Sequence, residues 1–249
     1  MVQIEQLSKI FNVGKPDEVR AVQEISLQLM PGEFTILVGT NGSGKSTLIN
    51  LITGSLKTDT GKIYIDEDEV SAIPEYKRSR LIARIFQDPL QGTAPDLTIL
   101  DNFRLASLRS KPKLLRIGNG PAFRSRVQEQ VALLKLGLEN KLDQLMGTLS
   151  GGQRQALTLS MAVMDEARLI LMDEPNAALD PRTSELILDT ARSIIREHNL
   201  CSIMVTHNLR DAATYADHLI HMKDGMIRHD VSGGESRGIS VAQLYEWMN

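Results

Sequence analysis

Ile25, Leu27 and Leu29 alternate with Ser26 and Gln28, the two-residue period of a strand with one buried face, and the first thirty residues read as strands. Pro31-Gly32-Glu33 interrupts that pattern, and 34–38 is a short apolar run suited to a strand buried on both faces. Glycines follow, then a helix is expected over 45–53, with further strands over 63–65, 82–86, 169–172 and 203–205. Between about 90 and 165 the period changes to that of helices, over 100–108, 123–136 and 153–164, with few strand signals between them. Asp180 and Pro181 have the chemistry of an N-cap and a first-turn proline, and Ile187, Ala191 and Ile194 share one face of the helix that follows. Strands alternating with helices predict an α/β fold with a mostly parallel sheet, into which the helical stretch is inserted. The segment 108–120, with Lys111, Lys113 and Arg116 among glycines and prolines, predicts a mobile basic loop. There is no tandem repeat and no low-complexity block.

Composition narrows the class. At 249 residues, 42% hydrophobic and 24% charged, the chain has the mix of a packed globular protein of one large domain. The lone Cys201 excludes an intramolecular disulfide framework and fits a reducing compartment. No apolar run exceeds four residues, against the roughly 20 a membrane-spanning helix needs, and residues 1–5 lack a signal-peptide pattern. A net charge of −3 weighs against a sequence-independent grip on nucleic acid. A cytoplasmic protein is the expectation.

Gly39-Thr40-Asn41-Gly42-Ser43-Gly44-Lys45-Ser46-Thr47 matches the phosphate-loop (Walker A) pattern and lies between an expected strand and an expected helix. Its glycines let backbone N–H groups face phosphate, and the helix N-terminus adds positive potential. Lys45 is the expected partner of the β- and γ-phosphates and Ser46 a ligand of Mg²⁺. The apolar run 169–172 ends in Asp173 and Glu174: the first suits the Mg²⁺ shell, the second polarises a water for in-line attack on the γ-phosphate.

Those two motifs do not separate a kinase from a motor. Leu149-Ser150-Gly151-Gly152-Gln153-Arg154-Gln155-Ala156 does; in it Ser150 and the glycine N–H groups open a helix at Gln153 and make a second anion site. This stretch resembles the signature motif of the ATP-binding cassette (ABC) superfamily. The resemblance implies a P-loop NTPase (RecA-like) core with an N-terminal antiparallel β-subdomain and an inserted α-helical signature subdomain. It implies one nucleotide-binding domain over 1–249, with the core in 1–89 and 165–249 and the helical subdomain in about 90–164. It further implies a homodimer that closes on two ATP molecules, with Ser150, Gly151, Gly152 and Gln153 facing the ATP held by the partner's phosphate loop. Gln87 then stands where the family has a glutamine reaching Mg²⁺ and the attacking water, 176–180 where it has the D-loop, and His207 where it has the histidine that touches the γ-phosphate. Phe11 stands at the adenine-stacking aromatic. Two departures occur: Asn-Ala-Ala where Thr-Ser-Ala is commoner in the D-loop, and Phe in place of Tyr at residue 11. His198, His218, His221 and His229 have no such context.

Within the superfamily, a chain with one copy of each motif, no membrane segment, 104 residues between Ser46 and Ser150 and about 40 after His207 fits a separate ATPase subunit. The stretches 19–21, 92–95 and 153–159 are similar to cassettes of bacterial tryptophan/tyrosine-type importers. That resemblance implies permease subunits docking near Gln87 to Leu97, an extracellular substrate-binding protein, no nucleic acid, and a peripheral location on the cytoplasmic face of a bacterial membrane. An exporter ATPase and a non-transport regulatory ATPase are the competing readings.

Overall fold

Two sheets divide the strands in the computed structural model, which describes residues 1–108, 120–177 and 179–248. Lys111, Lys113 and Arg116 of the expected basic loop lie outside the described residues, as does Ala178 of the 176–180 turn. The smaller sheet is antiparallel, built from β1 (Val2–Phe11), β2 (Val19–Leu29), β4 (Thr60–Ile65) and the two-residue β5 (Asp68–Glu69), in the order β2-β1-β4-β5. The larger holds β3 (Thr35–Val38), β6 (Ile82–Ile85), β7 (Leu169–Asp173), β8 (Cys201–Val205), β9 (His218–Lys223) and β10 (Met226–Ser232), in the order β10-β9-β3-β8-β7-β6. All its pairings are parallel except that of β10 with β9.

Every residue of β3 and of β8 is buried, because helices and the smaller sheet cover both faces of the larger one. Neighbouring side chains of β3 accordingly enter different cores. Ile36 and Val38 pack with the helices α3 (Ile99–Ala106), α4 (Pro121–Leu133), α5 (Gly151–Ala162) and α6 (Pro181–Glu197). Leu37 packs with α1 (Lys45–Thr53) and with Val2, Ile4 and Leu29 of the smaller sheet. The large sheet is thus a septum between two apolar cores, and its C-terminal edge is where the chain leaves for α1, for the turn after β7 and for the turn after β8. This is the P-loop NTPase architecture that the motifs imply, with an antiparallel sheet on one side and the helices of the signature segment on the other.

The expected helices form with shifted ends. The one expected over 153–164 begins at Gly151, since Ser150 caps it, and the one over 123–136 begins at Pro121. Asp180 caps α6 by accepting from the Arg182 and Thr183 N–H groups, and Ile187, Ala191 and Ile194 are buried. Not legible as such were β5, the single-turn α2 (Glu75–Arg78), α7 (Leu209–Tyr215), α8 (Val241–Met248) and the β9–β10 hairpin. The hairpin carries a usable signal in Asp224-Gly225, both at positive φ (53° and 73°), the pair that a two-residue hairpin turn favours. Among the described residues no helix is long and apolar enough to cross a membrane.

Candidate active site

The loop after β3 reaches α1 through backbone that only glycine tolerates. Gly44, the N-cap of α1, has φ 102°, and a Cβ there would run into the Ala21 carbonyl. No side chain caps α1, which leaves the first-turn N–H groups to whatever sits before them. The Lys45 ammonium is folded back on its own loop, donating to the carbonyls of Gly39 at 2.7 Å and Thr40 at 2.9 Å, with Ser43 Oγ at 3.4 Å. Burial pushes its pKa down, against the opposing pull of Glu174 and Asp173. The β9–β10 turn supports the loop from behind, where the Gly225 N–H donates to the Ser43 carbonyl at 3.1 Å.

Parallel pairing of β7 with β8, in the register Asp173 with Val205, brings the two following turns to the same edge. Glu174 takes a left-handed backbone (φ 45°) while its N–H donates to the Val205 carbonyl at 3.0 Å. Such a conformation costs a non-glycine residue about 1–3 kcal/mol. It carries the Glu174 carboxylate to 2.6 Å from His207 Nε2, with Glu174 buried and His207 exposed. Phe11, Val19, Ala21, Asn41, Gly42, Ser43, Gly44, Lys45, Ser46, Thr47, Asp173, Glu174, Val205 and His207 line one cleft of about 430 Å³.

A family model described as ABC transporter matches residues 22–177, more than half of the chain. The protein is a member of the ABC transporter family. It is 38% identical to the "Tyrosine transport ATP-binding protein" of Clostridioides difficile, over 99% of this chain and 98% of that one. It is 34% identical to the "Macrolide export ATP-binding/permease protein MacB" of Rhodopirellula baltica, over 93% of this chain and 33% of that protein. Among solved structures, a dimeric ATP-binding cassette in a post-hydrolysis state bound to ADP and Pi matches with a TM-score of 0.77 at 28% identity, covering 93% of this chain and 98% of that chain. The chain is accordingly an ABC transporter ATP-binding subunit that binds and hydrolyses ATP.

Most of the cassette's expected site residues meet in the cleft, and Gly39, Gln87 and the residues 150–153 are not among those that line it. Gly39 contributes a carbonyl to Lys45. Gln87 is exposed just past β6 and is not among the lining residues. Ser150, Gly151, Gly152 and Gln153 open α5 and do not line the cleft; there Ser150 Oγ accepts from the Gln153 N–H at 3.2 Å while Gln153 Oε1 accepts from the Ser150 N–H at 3.1 Å. One further bond was not foreseen. The buried Gln155 donates Nε2 to the Phe86 carbonyl at 3.1 Å, tying α5 to the residue before Gln87. Val19 and Ala21 were also missed as lining residues, although Val19 lies directly opposite Phe11 in the β1–β2 register.

The cleft suits a nucleotide with a divalent cation. It offers an uncapped helix end, an ammonium and the half-buried ring of Phe11. Among the described residues no group of three or more His, Cys, Asp or Glu could hold a metal unaided. The Ser46 hydroxyl and the Asp173 carboxylate at the cleft are hard oxygen donors, of the kind that could hold Mg²⁺ with phosphates and water completing its shell.

Proposed function

We propose that this cassette energises import of an aromatic amino acid through membrane permease subunits. The contact that carries the catalytic half of this reading is Glu174 Oε2 at 2.6 Å from His207 Nε2, at the mouth of a phosphate loop. Lys45 exchanges its loop carbonyls for the β- and γ-phosphates, Phe11 stacks on adenine, and the loop N–H groups of 41–47 hold the phosphate oxygens. Ser46, Asp173 and Gln87 hold Mg²⁺, which when bound screens the charge of the phosphates. Glu174 accepts the proton of the attacking water, whose oxygen bonds to the γ-phosphorus as the bond to ADP breaks, and His207 turns to the γ-phosphate.

The Ser150 helix end does not line its own chain's cleft, which supports head-to-tail pairing in which each ATP is held between one copy's phosphate loop and the other's signature residues. On this reading the helical segment of about 90–164 moves against the core as ATP binds and leaves. A groove of about 390 Å³ lined by Arg84, Gln91, Gly92, Thr93, Ala94, Leu105 and Met161, beside residues 87–97, is where the permease docks on the cytoplasmic face of the membrane. The near end-to-end identity to a tyrosine transport protein supports the cargo class, and an extracellular substrate-binding protein completes such a system.

Uptake of labelled tyrosine and tryptophan by cells carrying wild-type protein or Glu174→Gln tests the reading. Uptake lost with the variant supports both direction and cargo. Unchanged uptake, with ATPase activity abolished in the purified variant, removes the cargo and leaves the engine, and loss of efflux in the same cells would make it an exporter.

A further inference from the structure

The hydrogen bonds around Asn176 tie together the two turns that carry Glu174 and His207. Asn176 lies two residues beyond Glu174 and is 8% exposed. Its Nδ2 donates to Ser184 Oγ at 2.6 Å, in the first turns of α6, and to Asp211 Oδ2 at 2.9 Å, in the first turn of α7. Asp211 lies four residues beyond His207, and its own N–H reaches Asn208 Oδ1 at 3.4 Å, in the cap that starts α7. The same residues line a cavity of about 730 Å³ that has Glu174 and His207 at one end. A carboxylate accepts only, so the amide nitrogen, not the oxygen, faces Asp211. Two N–H groups on one nitrogen serve two acceptors at once, which a single hydroxyl hydrogen could not do.

We propose that Asn176 is a positioning residue for hydrolysis, holding the Glu174 turn in register with the His207 turn through Asp211. The proposal rests on the reading that Glu174 and His207 serve hydrolysis. The Glu174 and His207 side chains touch one another, and that contact has to open for His207 to reach a γ-phosphate, while the Glu174 N–H stays on the Val205 carbonyl. The Asn176–Asp211 bond involves neither side chain, so it persists through the opening and keeps the two groups at a fixed spacing when the phosphate arrives. It is also a charge-assisted bond, stronger than a neutral one.

Steady-state ATP hydrolysis by the purified full-length protein tests this through a double-mutant cycle. Asn176→Ala and Asp211→Ala are each expected to lower kcat about tenfold with KM for ATP changed less than about twofold, and the double variant to fall no further than either single. Asn176→Asp sets two carboxylates face to face and lowers kcat more. Adding Asp211→Asn restores a donor–acceptor pair with the roles exchanged, and returns kcat to within about threefold of wild type. Additive losses in the cycle, or an exchanged pair that melts like wild type yet stays as slow as Asn176→Asp, would overturn the proposal. Glu174→Gln, run alongside, reports separately on the underlying reading: wild-type turnover in that variant removes Glu174 from the chemistry whatever the cycle shows.

Discussion

The two glycine-rich helix starts of this protein are finished in opposite ways. At α1 the N-cap is Gly44 in a left-handed conformation with no side-chain cap, and the neighbouring ammonium rests on the loop's own carbonyls. At α5 the N-cap is Ser150 in an extended conformation, and Ser150 and Gln153 satisfy one another's backbone N–H groups in a capping box. The first end is left open toward a cleft walled by Phe11, Asp173, Glu174 and His207. The second is self-sufficient for folding and keeps only its glycine N–H groups to offer, and it does not line that cleft. A helix end that needs a ligand lies inside the chain's own site. One that does not need a ligand is free to serve another copy.

Glu174→Gln probes the open end hardest. If Glu174 takes the water's proton as proposed, the change should lower turnover by about three orders of magnitude while ATP still binds, because glutamine keeps the volume but not the basicity. Turnover and equilibrium binding of a fluorescent ATP analogue read the two halves of that statement. Lys45→Ala acts one step earlier: it removes a charge-assisted contact to the phosphates, so nucleotide affinity itself should fall about tenfold to a hundredfold. Unchanged affinity would mean that the uncapped N–H groups hold the phosphates alone, and the contrast with α5 would have to be redrawn.

How much of this was legible in the residues follows from how local each feature is. The loop 39–47 and the Asp173-Glu174 pair could be read because strand, turn and helix signals adjoin the reacting groups within a dozen residues. The helix start after Ser150 could be read for the same reason, but the reading began the helix at Gln153, and the Ser150–Gln153 exchange that moves its start to Gly151 was not foreseen. Val19 and Ala21 could not be read, because they enter the cleft through the register of β1 with β2 and through the close approach of the Ala21 carbonyl to Gly44, both set by pairing. Gln155 gave no local sign either, since its partner at Phe86 is 69 positions away. The β9–β10 hairpin hid behind its histidines. His218 and His221 break the apolar pattern of a strand that is nonetheless buried between β3 and β10.

One of those histidines supports the open end. His221 pairs with Val38 on the strand that feeds the phosphate loop, its Nδ1 lies 3.0 Å from His229 Nδ1, and both rings stack against Trp247. Burial first, then the charges of His229, Lys223, Arg228 and Lys45, push its pKa down to about 4. The unfolded chain protonates this ring near pH 6.5, so between about 6.5 and 4 it binds more protons than the folded chain, and stability is lost as pH falls through that window. By pH 5 the loss from this group is about 2 kcal/mol. His221→Leu should flatten the acid limb of a denaturation series between pH 7 and 5; an unchanged slope would assign that limb to other groups.

Ser150→Ala has the smallest effect on folding and the most to say about the contrast. Losing an N-cap side chain costs about 1 kcal/mol, which in a chain of this size lowers Tm by about 2–4 °C. No comparable change is possible at Gly44, which has no side chain to lose. If the α5 end also serves a partner's ATP, Ser150→Ala should lower turnover in excess of that small stability loss, and the defect should be complemented in a specific way. In a mixed pair of Ser150→Ala with Lys45→Ala, one ATP site combines both defects. The other joins an intact phosphate loop to an intact α5 start. Mixing the two purified variants should therefore return part of the wild-type turnover that neither has alone, in proportion to the mixed pairs formed. If both helix ends acted within a single chain, mixing would only average two poor enzymes.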